Sequence, residues 1–591
     1  GEKGCRVTNS DATYHAWNPG LGSTIPPHLL PLITLFRPEN AAVSYRQAKE
    51  AADFCGLPAE TLCALTVERL IIHEVLIRVT ADLSVPDGPS YEYLGISLRS
   101  MVGRICDLYV MPRLDAISAE FDLIKQQSAE AINAILDRDV FGQNIKPDKG
   151  GFFGFFKPKA ATVNDDAKLP EMGALAAWKA ALRDQQDPAK RAYLSALITI
   201  VGGIIGQHGR LVANRDLVVE LSLRLVMNSF GSREIGRIIR PVFNEAVASE
   251  GYRFLPAQSH PIVMNTKGAS ASGKSTIRPQ QRRLAEKINA KWEDFALISP
   301  DYWRKYLLDY DTMGEDYKYA AMMTGHELEI IDRKLDSYVA AKARGHNLPH
   351  LLLDRFRFDS FKVGDDGDYQ SKLLSRFGAT IFLFFIITPP AQTVERAWQR
   401  GLTTARYKAV NDLLYHNIEA FNGIPELFFS WMGIGDKTVY FEFLDNDVPL
   451  GEQARTIAYG HHGHMTILDP SALGNIDRFR QVNTKASRAE KVLDATWQPT
   501  HDFLRQCFSS FARIDFADYD DATIYGRVES GVWRMQNAAH YPQRRDHQDC
   551  LSALGWGQPP AAEPLSTQMI DVAQEKRLTI GAWATHHPHN G

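Results

Sequence analysis

Cysteine is scarce: the 591-residue chain has six, Cys5, Cys55, Cys63, Cys106, Cys507 and Cys550, far apart and with no C-x-x-C pair. That spacing argues against a zinc knuckle or a redox dithiol, and reduced thiols in a cytosol-like compartment are the simplest reading. An excess of one charge is lacking too. The 66 Lys+Arg and 70 Asp+Glu leave a formal net charge of -4, so nucleic acid is not the expected partner, although a local basic patch can hide in that sum. Long apolar runs are absent. The longest, 194–206 (LSALITIVGGIIG), falls short of the roughly 20 residues of a membrane span, so it reads as a buried helix and no transmembrane segment is expected. The first residues have no basic start followed by an apolar core, which gives no standard signal peptide; they also lack a Met, so a processed or truncated start stays open. The expected location is the cytoplasm, or a target cell's cytosol reached by delivery without such a signal. No internal repeat is present.

What remains is globular in kind, with 45% hydrophobic and 23% charged residues, in a chain long enough for about two to four domains. Residues 1–142 read as a helical domain, because TLCALTVERLIIHEVLIRV and DAISAEFDLIKQQSAEAINAIL place apolar residues at three- and four-residue steps. Residues 143–172, rich in Gly, Pro, Lys and Asp, read as a linker or exposed insertion. The phenylalanines at 152, 153, 155 and 156 within it would tuck into a neighbour or touch a membrane surface. Helical periodicity resumes over 173–257, grouped with the first bundle. Between 258 and 450 short apolar runs alternate with amphipathic segments, the grammar of a mostly parallel sheet flanked by helices. Strands are expected at 261–265, 295–299, 350–354, 380–388 and 438–444; TIFLFFIIT at 380–388 is apolar on both faces, as a central parallel strand must be. Residues 451–591 read as an irregular, α-rich region of unknown role, and its histidines at 461, 462, 464, 586, 587 and 589 read as incidental rather than metal-binding.

Chemistry concentrates in the 258–450 segment. GASASGKST fits G-x-x-x-x-G-K-[ST], a P-loop between a strand and a helix. Gly268, Ala269, Ser270, Ala271, Ser272, Gly273, Lys274, Ser275 and Thr276 would bind ATP, the glycines turning backbone N–H groups toward phosphate oxygens. Lys274 would hold the β- and γ-phosphates and Ser275 would sit on Mg²⁺. A flexible Gly/Ser linker is the bland alternative. Asp301 follows the second strand, where open α/β sheets collect ligands, and could take a proton from an attacking hydroxyl or merely cap the next helix. Asp354 closes the third strand as a metal-orienting carboxylate would. Arg355 and Arg357 could reach a phosphate or pair with Asp359, Asp365 and Asp366. Arg396 and Arg400 share one helix face, with Arg406 beyond Gly401, either as a lid that neutralises phosphoryl charge or as a solvated helix. The turn Asp445-Asn446-Asp447 would place Asn446 near the adenine. Pro279 early in the P-loop helix demands an irregular first turn.

Together GASASGKST, Asp301, the helix TGHELEIIDRKLDSYVAAKARGHN leading into LLLDR, the lid TVERAWQRGLTTAR and the closing FLDND resemble the zeta-toxin-like P-loop kinases over about 259–447. The resemblance implies an α/β P-loop kinase core that uses ATP and Mg²⁺, with Asp301 as catalytic base, Lys274 with Arg396, Arg400 and Arg406 as charge stabilisers, and Glu327 or Glu329 holding the acceptor. It implies a hydroxyl acceptor on a nucleotide-type small molecule, a UDP-N-acetyl sugar or, in a branch of delivered bacterial effectors, NAD. A toxin- or effector-like role brings with it a neutralising antitoxin or a chaperone protein as partner. Two departures stand out: the Lys274-to-Asp301 gap is long, and Arg355 replaces the family's small residue after the third-strand acid, so Arg355 is assigned to an altered acceptor pocket. The competing expectation is a P-loop ATPase or switch whose nucleotide state regulates the helical regions; a scaffold with a degenerate P-loop is a further alternative.

Overall fold

The computed structural model describes residues 13–142, 169–355, 378–557 and 568–583. The phenylalanine run at 152–156, most of the expected linker, Arg357 with Asp359, Asp365 and Asp366, and the histidines at 586, 587 and 589 lie outside them. Two compact units form, one from Gly1–Ile25, Ile77–Ser100 and Tyr252–Gly591, the other from Pro26–Leu76 and Met101–Gly251.

The second unit is helical. Ser44 and Gln47 make a reciprocal capping box at the start of helix Tyr45–Cys55, and Gly56, with φ 63°, ends it. Asp187 caps helix Pro188–His208 by accepting from Lys190 N, with Pro188 harmless in the first turn. By length and composition this helix could cross a membrane. In this unit Leu194, Leu197, Ile200, Val201 and Ile204 are buried along it, with helices Pro170–Asp184 and Arg215–Val226 as neighbours. The linker expected over 143–172 thus gives way to a helix already at Pro170.

The helical domain expected over 1–142 is divided, since Ile77–Ser100 belongs to the other unit. Tyr338 and Lys342 both bond the Asp82 carboxylate, and Leu255 N donates to Asp82 O at 2.7 Å. Arg282 pairs with Asp87, and the Tyr302 hydroxyl donates to Tyr91 O at 2.7 Å. A 3.6-residue period reports that one helix face is buried, not what buries it.

The first unit is mixed α/β, built on a ten-stranded sheet. Its first five strands lie within one or two residues of the expected ones: β1 Ile262–Lys267, β2 Phe295–Ile298, β3 His350–Asp354, β4 Thr380–Ile387 and β5 Thr438–Asp445. They are parallel in the order β2-β3-β1-β4-β5. Phe382, Phe384 and Ile386 of β4 join Met264, Leu352 and Leu444 on one side. On the other side Phe385 and Phe443 meet Phe428 of helix Val410–Met432, which is why β4 tolerates no polar alternation.

The expectation of an irregular, α-rich C-terminal region is corrected. Strands β6 Arg455–His461, β7 His464–Ile467, β8 Arg513–Ala517, β9 Ile524–Glu529 and β10 Val532–Met535 extend the same sheet beyond β5. β6 runs antiparallel to β5, and only β7–β8 is parallel in this half. These strands span four to seven residues and, unlike β4, carry polar or charged residues such as Arg455, His461, His464, Arg513, Asp515 and Arg527, so no apolar run marks them.

Glu442 of β5 fastens the last described segment to the sheet. Its buried carboxyl accepts from Thr456 Oγ1 at 2.7 Å and from the backbone N–H groups of Ile580 and Gly581 at 2.8 Å each. Burial pushes it up to about 7, against the pull of those three donors. A carboxyl raised in the folded state contributes its stability below the unfolded value and loses it as pH rises through the folded one. The Tm of the wild type relative to that of Glu442→Gln should therefore fall as pH rises across about 4.5 to 7 in thermal melts of the two proteins.

Candidate functional site

The loop after β1 is held in a conformation that its glycines allow. A Cβ on Gly268 would lie 2.6 Å from Ser272 Oγ and 3.1 Å from Ile386 O. Gly273 has φ +103°, where a Cβ would come 2.7 Å from Asn446 Nδ2, and Ala271 adopts φ 61° without being glycine. The loop is pinned at one atom: Ser272 O accepts from Thr388 Oγ1 and Asn446 Nδ2, both at 2.8 Å, and from Arg396 Nη1 at 3.3 Å. Arg396 also donates to Asn446 O at 2.9 Å. Asn446 and Arg396, expected at adenine and phosphoryl groups, thus bind the loop itself to the ends of β4 and β5. Residues Lys274 to Ile277 form turns and the helix begins at Arg278. Pro279 therefore falls in a first turn whose N–H needs no partner.

Lys274 Nζ curls back over the loop, donating to Ala269 O at 2.8 Å and Gly268 O at 3.2 Å. Ser275 Oγ donates to the Asp354 carboxylate, which also accepts from Ser299 Oγ at 3.2 Å and faces Arg278 Nη2 at 3.7 Å. Three strand ends therefore meet at Asp354. A hydroxyl and a carboxylate side by side suit a hard cation that draws its other oxygens from phosphate and water. Among the described residues no three His, Cys, Asp or Glu side chains could hold a metal by themselves, so Ser275 and Asp354 are the donors available to Mg²⁺. The β-hairpin histidines are otherwise engaged: His464 Nε2 lies 3.0 Å from Asp515 and His462 Nε2 3.1 Å from Trp431 O.

Asp301 occupies the tight turn Pro300–Trp303 after β2 and makes no capping bond. Its carboxylate accepts from Arg304 Nε at 3.0 Å and from Arg406 Nη2 at 2.9 Å while its side chain stays 46% exposed. Desolvation opposes ionisation, but Arg406, Arg304 and Arg400 outweigh it and hold Asp301 well below the usual carboxylate range. The lid geometry explains how Arg406 arrives. Helix Pro390–Thr404 ends at Ala405 in the left-handed region, φ 59°, which turns the chain so that Arg406 leaves the helix and comes back to Asp301. Tyr407 then packs against Gly401, where a Cβ would lie 2.4 Å from its ring. Arg400 adds charge nearby; its buried Nε has no hydrogen-bond partner, and burial, with Arg406 beside it, lowers it to about 10.

The acceptor-side residues are placed unequally. Arg355 is buried, paired with Asp336 at 2.6 Å and Asp332 at 3.1 Å on helix Gly325–Arg344. Glu327 is buried in that helix's first turn, whereas Glu329 is solvent-facing and paired with Arg333 at 2.9 Å. Three participants escaped sequence reasoning. Thr388 anchors Ser272. Arg304, three residues after Asp301, had the i,i+3 spacing of a helical ion pair as its signal. Lys408, two residues past Arg406, reaches Ser270 Oγ at 3.4 Å and His416 Nδ1 at 2.7 Å, with no signal beyond its position after the lid. Ala269 is buried beneath the loop and the exposed Thr276 folds its hydroxyl onto Gly273 O at 2.7 Å.

Burial lowers Lys274 to about 8, with Arg400 and Arg406 pushing the same way and Asp354 and Asp301 opposing. It lowers Lys408 to about 7, helped by Arg400 and Arg304. An anion bound among them favours both ammonium forms, so polyphosphate binding should take up protons and weaken as pH rises through about 7 to 8. Calorimetry in buffers of different ionisation enthalpy checks this, with Lys408→Met reducing the uptake. Gly273→Ala should destabilise the fold by about 1–3 kcal/mol in denaturant unfolding, from backbone strain and the Asn446 contact. Compared with protein-family models, with curated proteins and with solved structures, the chain matches none.

Proposed function

We propose that the chain is an ATP- and Mg²⁺-dependent kinase that phosphorylates a hydroxyl of a nucleotide-type small molecule such as a UDP-N-acetyl sugar or NAD. The observation that carries this reading is the position of Asp301, a half-exposed carboxylate tied to Arg304 and Arg406 at the same carboxyl end of the parallel strands as the 268–276 loop and the Ser275–Asp354 pair. Phosphoryl transfer to an alcohol needs a carboxylate at the acceptor side, because the attacking oxygen must be oriented and must lose its proton. An ATPase can use such a carboxylate to orient its attacking water, so the identity of the product, not the carboxylate alone, separates the two readings.

In this reading the backbone of 268–276 and Lys274 cradle the phosphates. Ser275 and Asp354 would hold Mg²⁺, which when bound would supply neutralisation of phosphate charge. Asp301 accepts a hydrogen bond from the acceptor hydroxyl. A carboxylate held this low in pKa is a weak base before reaction, so its first task is orientation, and it takes the proton late, as the hydroxyl oxygen bonds to phosphorus. Arg406 and Arg400 stabilise charge on the transferring group, while Arg396 supports the loop.

The test is incubation with ATP and a nucleotide panel that includes NAD and UDP-N-acetylglucosamine. Wild type should yield a phosphorylated product, and Asp301→Ala should lower kcat by roughly 10²- to 10⁴-fold without abolishing ATP-linked thermal stabilisation. Hydrolysis of ATP with no phosphorylated product, requiring Lys274, would instead support the ATPase or switch reading.

A further inference from the structure

Beside the lid's first turn lies a cleft of about 270 Å³ lined by Pro389, Pro390, Ala391, Arg478 and, across from them, a wall that includes Val492 and Leu493. Its size is below the roughly 300–1,000 Å³ of drug-sized sites, enough for one flat ring system and too small for a whole nucleotide. Two features connect it to the phosphate loop. Pro389 follows Thr388, whose hydroxyl bonds Ser272 O. Ala391 and Leu493 also pack with the loop's own Ala271 against one apolar cluster that includes Val492.

Both walls are rigid. Two consecutive prolines fix the backbone on one side, where Gln392 N donates to Pro389 O at 2.9 Å. The opposite wall is tied down by Asn483 N to Val492 O at 2.9 Å, Asn483 Nδ2 to Lys491 O at 3.1 Å and Thr496 N to Asp494 Oδ1 at 2.8 Å. Pro389, Pro390 and Ala391 with Val492 and Leu493 give the cleft apolar walls, which suit the faces of a planar heterocycle. The cleft has two polar lining side chains, Arg478 and Glu490, which can offer a donor and an acceptor to the edge of a base.

We infer that this cleft binds the heteroaromatic base of the nucleoside triphosphate whose phosphates occupy the 268–276 loop, so that the C-terminal region supplies half of the base site. The inference rests on the proposed kinase reading. It also gives that region a function in nucleotide selection, since Arg478 and residues 489–495 lie beyond the segment that carries the P-loop and lid.

Binding of ATP and of inorganic tripolyphosphate, each with Mg²⁺, to the full chain separates the two ideas. Wild type should bind ATP more tightly than tripolyphosphate. Leu493→Trp, which fills the slot, should weaken ATP by about tenfold or more through lost base burial and leave tripolyphosphate unchanged; retained tripolyphosphate binding also shows that the variant's loop is folded. If Leu493→Trp binds neither ligand, Leu493→Ala decides by the same ratio. An unchanged ATP-to-tripolyphosphate ratio in a variant that binds both overturns the base site alone. Failure of the wild type to bind either ligand, with Lys274→Ala indistinguishable from it, overturns the kinase reading and the base site with it.

Discussion

The carbonyl oxygen of Ser272 is the atom on which the site depends. A carbonyl offers two lone pairs, and here three donors converge on them: a hydroxyl from the end of β4, an amide from the end of β5 and a guanidinium from the lid helix. These bonds fix a loop that passes through left-handed backbone at Ala271 and Gly273. A loop of glycines and serines left to itself would sample many conformations at an entropic cost to any ligand that orders it. Tied to two strands and a helix, it is held in one conformation by the protein itself, and the packing that holds the sheet together becomes the packing that shapes the loop.

Around that loop the charges are arranged against one another rather than neutralised. Lys274, Lys408, Arg304, Arg400 and Arg406 face a small number of carboxylates, chiefly Asp301 and Asp354. Burial, with the neighbouring arginines adding to it, takes part of the lysines' proton affinity, and against its own desolvation Asp301 binds protons less tightly because of Arg406, Arg304 and Arg400. Arg355, which the chain places beside this group in sequence, is removed from it by Asp332 and Asp336. The surplus of positive charge is local, within a chain whose formal net charge is -4.

The parallel half of the sheet was legible because its strands are built on short apolar runs separated by amphipathic helices, and burial on both faces writes itself into β4. The P-loop was legible because glycine and lysine are required at fixed spacing. The antiparallel half was not. Its strands are short, and residues such as His461, His464 and Asp515, which look like turn or surface residues in the sequence, pair within it. Segment Ile77–Ser100 shows the same limit for helices: its periodicity is real, while Asp82, Asp87 and Tyr91, which attach it to the sheet unit, carry no local pattern.

Spacing and place along the chain were enough to single out Gly268, Gly273, Lys274, Ser275, Asp301 and Asp354 as candidates, because local backbone geometry and strand polarity act over a few residues. Only the tertiary structure decided what those residues and the lid arginines do to one another. Arg396 and Arg400 look equivalent on one helix face, yet one binds Ser272 O and the other stands with a buried, unpartnered Nε. Arg406 reaches Asp301 because the chain reverses at Ala405. Contacts between residues a hundred positions apart depend on how whole elements pack, and no periodicity within either element encodes them.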